Sequence, residues 1–163
     1  MNPPTAEALY VISLREVFWG GTLVAVTMAM HGCGTLVILR IVNAIKERIA
    51  SPPNLKSGLF IIILASWLIM LLHLTEVAVW AVFFLWKRAF PNHSLSYYFS
   101  LNEYTTLGSN YNLPLNWRLL EGMLAMAGLL TFAWSTGILF TLAQEFQDQQ
   151  MDLLKKRRTK PLK

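Results

Sequence analysis

Charge is scarce in this chain: 14% of its 163 residues are Asp, Glu, Lys or Arg, against roughly 25% in soluble domains. That is too little polar surface to cover a water-soluble globule of this size. There is one cysteine, Cys33, which excludes an intrachain disulfide framework and a four-cysteine metal site. No internal repeat is visible, so a pore built from several copies of one segment cannot come from a single chain. Residues 1–14 contain no Lys or Arg and lack the positive leading region of a secretory signal, so the first apolar stretch is expected to be retained. No nucleophile–base set, phosphate-cradling glycine loop or paired catalytic carboxylates stand out. Neither an enzyme nor a resident cofactor is therefore expected.

Hydrophobic residues, by contrast, make up 55% of the chain. Three stretches hold no acidic or basic residue: 17–39 (23 residues), 57–75 (19) and 122–144 (23). Each suits a helix crossing a bilayer, which needs about 20 apolar residues. The second continues past Glu76 to Trp86 and is expected to be long and tilted.

The pI near 9.6 reflects where the bases lie. Arg40, Lys46, Arg48 and Lys56 fall between the first two spans, and Lys155, Lys156, Arg157, Arg158, Lys160 and Lys163 come after the third. Only Arg15, Lys87, Arg88 and Arg118 remain for the other side. The positive-inside rule then gives an external N-terminus, a cytoplasmic first loop, an external second loop and a cytoplasmic C-terminus in a plasma or bacterial inner membrane. The basic excess is thus topological, and no nucleic-acid partner is expected.

The residues at 1–16 read as an external segment with a short interfacial helix over 6–14. Those at 17–56 read as a transmembrane helix and cytoplasmic loop, with a helical extension over 41–50 stopped by Ser51-Pro52-Pro53-Asn54. The stretch 87–118 is too polar for a fourth span, but Asn92 and Ser94 can cap a helix over 95–106. At about 18 Å such a helix cannot cross a bilayer, so a re-entrant loop is expected. Trp19, Trp86, Tyr97, Tyr98, Tyr111 and Trp117 fall near the outer interface, whereas Trp67, Trp80 and Trp134 lie within spans and are expected to pack inside.

The run Tyr97-Tyr98-Phe99-Ser100-Leu101-Asn102-Glu103-Tyr104-Thr105-Thr106-Leu107-Gly108 resembles the pore helix and filter entrance of potassium channels. Leu113-Pro114 and Trp117-Arg118-Leu119-Leu120-Glu121-Gly122 resemble the turn after the filter and the start of the inner helix. The resemblance implies an all-α membrane protein with three transmembrane helices and a re-entrant pore helix and filter loop between the second and third. Residues 57–145 would be outer helix, pore loop and inner helix, residues 146–163 a basic cytoplasmic tail, and the first span an addition to the minimal pore. It also implies a selectivity filter at Thr105, Thr106, Leu107, Gly108, Ser109 and Asn110 and a hinge at Gly128, while the small, weakly polar surface that Gly128 shares with Thr131 and Ser135 suits a pore-lining or a bundle-facing helix. Potassium-selective filters carry an aromatic residue and a second glycine where this chain has Ser109 and Asn110. Asparagine, after glycine, is the residue most willing to adopt a left-handed backbone.

Four loops around an axis can replace a cation's hydration shell with backbone carbonyls. One chain offers one loop, so a homotetramer is implied, passing a monovalent cation, with K⁺ the ion suggested by the resemblance. The tail's Lys155-Lys156-Arg157-Arg158 suits anionic head groups.

His31, His73 and Glu76 are costly within spans. Counting 1.5 Å per residue from the outer ends puts them about 21, 20 and 15 Å deep, at levels where they can meet. Three readings are open: a hydrogen-bond network docking the first span onto the second, a proton-sensing gate, or a bound metal. The last gives the leading rival function, a membrane metal-binding or redox protein; a non-conducting accessory subunit is a third.

Overall fold

The computed structural model describes residues 10–49 and 55–158. Among these the secondary structure is entirely helical: α1 (Leu14–Arg48), α2 (Leu55–Trp86), α3 (His93–Tyr104), a short 3-10 turn (Leu115–Trp117) and α4 (Leu119–Arg158). Three helical stretches are long and apolar enough to cross a membrane, Leu14–Arg48, Lys56–Trp86 and Leu115–Lys155. Only 28%, 22% and 28% of their most apolar windows are buried within the chain, which leaves wide apolar faces for lipid or neighbouring subunits.

α1 starts at a capping box, Ser13-x-x-Glu16, where Ser13 N–H donates to Glu16 Oε2 at 3.0 Å and Glu16 N–H to Ser13 Oγ at 3.2 Å. α1 continues to Arg48 as one helix, so the extension expected after the first span is present that far, and α4 likewise continues to Arg158. Of the interfacial helix expected at 6–14, residues 10–13 have no regular structure and 6–9 lie outside the described residues. Pro52, Pro53 and the tail beyond Arg158 are also outside them.

The chain divides into two compact units that share α1, α2 and α4. One contains α1 up to Gly32 and His73–Phe132. Its core gathers Trp80, Phe83, Phe84, Phe90, Phe99 and Trp117 with Leu120 and Leu124. Trp80 Nε1 donates to Thr27 Oγ1 at 2.9 Å, satisfying a buried indole across α1 and α2, and Ser96 Oγ donates to Ala81 O at 2.8 Å, tying α3 to α2. The other unit, Cys33–Leu72 and Ala133 onward, packs Ile38, Val42, Ala65, Ile69 and Leu142. Within it Lys46 Nζ meets Glu145 Oε2 at 2.6 Å.

Trp67 and Trp134 correct the packing expectation: they are 56% and 46% exposed, whereas Trp80 is fully buried. Hydropathy rises equally for residues facing lipid and residues facing protein, so an apolar ring inside a span does not reveal which it meets.

Candidate functional site

α3 is 12 residues long, about 18 Å, and cannot cross a hydrocarbon core of about 30 Å. Asn92 starts it, its side chain accepting from Leu95 N–H at 2.8 Å. At the other end Leu107 N–H donates to Asn102 O and Thr106 N–H to Glu103 O, each at 2.9 Å, which is the Schellman pattern. That pattern needs a left-handed residue and usually recruits glycine; here it is Thr106, at φ 60°. A β-branched side chain there costs on the order of 1–3 kcal/mol and persists only where the surroundings fix it. Gly108 is left-handed at φ 76°, a conformation its missing Cβ permits.

The expected filter residues come directly after this turn. Thr105, Thr106, Leu107, Gly108 and Asn110 are exposed, Leu107 to 78%, and Ser109 is half-buried. Ser109 does not replace the ring its position has lost: its hydroxyl donates to Tyr111 O at 2.8 Å.

Behind this open loop lies a closed polar network. His31, His73, Glu76, Tyr104 and Thr131, from all four helices, are buried together. Glu76 Oε1 takes His31 Nδ1 at 2.9 Å, and its Oε2 accepts from the Tyr104 hydroxyl at 2.5 Å. The Tyr104 oxygen lies 2.9 Å from His73 Nδ1 and 2.6 Å from Thr131 Oγ1. With the phenol proton directed at Glu76, the Tyr104 oxygen accepts from His73 Nδ1–H, and the Thr131 hydroxyl shares its one proton between Tyr104 and the Ala127 and Gly128 carbonyls, each at 3.0 Å. The count closes: both carboxylate oxygens and the phenol oxygen are satisfied without water, as burial requires. His31 and His73 stack with ring centroids 5.2 Å apart, and Phe132 covers His73 at 4.6 Å.

His31, His73 and Glu76 also present possible metal-ligand atoms within 4.8 Å of one another. With the Tyr104 oxygen they form a chemically adequate donor set for a divalent ion. Binding one would displace the hydrogen bonds just described.

Leu120, Leu124, Gly128, Thr131 and Ser135 recur at three- or four-residue spacing and are all buried, so Thr131 and Ser135 lie on the face turned into the chain and do not line an open path. Small, weakly polar residues suit close packing as well as lining, and of the two uses expected for this surface the burial shows the bundle-facing one. The open face carries Met126, Leu129 and Leu130 instead. Gly128 lies within an unbroken helix, and a Cβ there would sit 1.9 Å from the Tyr104 carbonyl oxygen. Contact with a backbone atom, independent of any hinge, already requires glycine at this position.

Sequence reading missed Tyr104, the hub of the network, because a tyrosine ending a short helix resembles an ordinary interface aromatic. It also missed Glu16, although Ser13-x-x-Glu16 was a legible capping signal. Beyond capping α1, the Glu16 carboxylate accepts from the Tyr10 hydroxyl at 2.9 Å and from Leu119 N–H, at the start of α4, at 3.2 Å. Compared with protein-family models, curated proteins and solved structures, the chain matches none.

Proposed function

We propose that the chain is one subunit of a homotetrameric cation channel that conducts passively, with α3 as a re-entrant pore helix and Thr105–Asn110 as a divergent filter. The observation that carries this reading is an exposed Thr-Thr-Leu-Gly loop, two of its residues left-handed, directly after a helix too short to span and packed among three that can. The C-terminal end of a helix carries partial negative charge, and at α3 that end points toward the loop, which favours a cation there. A loop with Leu107 open to this extent fits a surface completed by other subunits around an axis. The N-terminus is external, the basic tail is cytoplasmic and meets anionic lipid, and the permeant ion is monovalent, K⁺ by resemblance.

Rubidium and sodium flux into liposomes, with subunit counting on the same preparation, tests this. Cation flux through a tetramer is expected; a tightly folded protein that passes neither ion, or a monomer, refutes it. A second reading, a membrane metal centre, is favoured by the convergence of His31, His73 and Glu76. Stoichiometric metal in purified protein, lost in His73→Ala, would support it.

A further inference from the structure

We propose that Tyr104 is the positioning residue of the ion path, and that α1, the helix beyond the minimal pore, acts on the filter through His31, Glu76 and Tyr104. This rests on the channel reading. Tyr104 is the last residue of α3 and immediately precedes Thr105. It is held at two separate points. Its hydroxyl is gripped by Glu76 and His73 of α2 and Thr131 of α4. Its carbonyl abuts Gly128 so closely that no side chain fits between them. Two residues later comes Thr106, in a backbone conformation that threonine adopts only under constraint. Tyr104, fixed at both ends, supplies that constraint, and where Tyr104 is pinned sets the direction of the carbonyls after it.

Glu76 makes the tie long-range. It is buried, and one oxygen holds Tyr104 while the other holds His31 of α1. Removing the His31 donor leaves a buried carboxylate half-satisfied, so it must recruit another donor or shift, and Tyr104 is its partner on the other oxygen. A change on α1 is therefore transmitted to the residue that sets the loop's direction.

The test uses the full-length tetramer in liposomes with Tyr104→Phe, His31→Leu and Thr131→Val, reading the rubidium-to-sodium flux ratio and the hydrogen-exchange rates of the Leu107 and Gly108 amides. Tyr104→Phe keeps the ring and removes only the tie. We expect the flux ratio to change about tenfold, the equivalent of about 1.4 kcal/mol, and exchange at Leu107 and Gly108 to quicken. His31→Leu should shift both readouts in the same direction, and the His31→Leu/Tyr104→Phe double variant should differ little from Tyr104→Phe alone, since both act through one link. If Tyr104→Phe fails to assemble, Thr131→Val and His31→Leu carry the test. Conducting tetramers with unchanged flux ratio and exchange would overturn the inference and leave the channel reading standing. A wild type that passes no cation would overturn both.

Discussion

Replacing Gly128 with alanine adds a single methyl group, yet its cost can be worked out from one contact. The new Cβ would lie 1.9 Å from Tyr104 O and 2.9 Å from Tyr104 C. Ordinary contact begins at 3.4 Å, so the two backbones must part by about 1.5 Å (3.4 − 1.9). α4 can retreat only by loosening Leu124 and Ala127 from the core, and α3 only by stretching the Tyr104 hydroxyl away from Glu76. Overpacking of this kind costs about 1–3 kcal/mol, and weakening a hydrogen bond to a charged group adds about 1.5–3. A loss of about 3 kcal/mol corresponds to roughly 6–12 °C in melting temperature for a chain of this size. Thermal unfolding in detergent, monitored by tryptophan fluorescence, measures it. Gly21→Ala is the control, since nothing lies within 4 Å of its added Cβ and helix propensity alone should stabilise it by about 0.5–1 kcal/mol. If Gly128→Ala melts with Gly21→Ala, the close approach of α3 to α4 is wrong.

Glu16→Ala should lower stability by more than Ser13→Ala, because it uncaps two helices where Ser13 serves one; a cap is worth about 1 kcal/mol, and equal melting losses would contradict the double role. Ser100→Ala should raise the melting temperature slightly, since among the described residues its hydroxyl is the buried side-chain atom with no partner; a clear drop would reveal one. Glu103 is the penultimate residue of α3, and burial, then the Glu121 carboxylate, raise its pKa above 4.5. Its ionised form therefore costs stability at neutral pH, and that cost vanishes as pH falls through the raised pKa and below 4.5. Glu103→Gln should accordingly be more stable than wild type at pH 7 and equal to it near pH 4. A difference that does not change with pH would refute the assignment.

The three spans were legible because apolar runs of 19 to 23 residues report a solvent, not a contact, and lipid is the only solvent that accepts them. The start of α3 was legible within two residues because Asn92 caps chemically, and its end shifted from 106 to 104 because a Schellman turn was built on a threonine where glycine would have announced it. The meeting of His31, His73 and Glu76 could be read from depth along two helices. Tyr104 and Thr131 could not: which face of α3 and α4 turns inward is decided by packing against elements far away in sequence. Trp67 and Trp134 were misplaced for the same reason, since within a membrane both faces of a helix are apolar and periodicity loses its usual contrast.

The carboxylate shared by two helix starts also has a consequence for biosynthesis. Glu16 and Leu119 are separated by 103 positions, so the first helix is translated and inserted long before its second client exists. Until then the Glu16 carboxylate caps only its own helix and holds Tyr10, with Oε1 still able to accept a second donor. Insertion of α4 brings the Leu119 N–H to that carboxylate, so the starts of α1 and α4 are tied together only once both helices are in place.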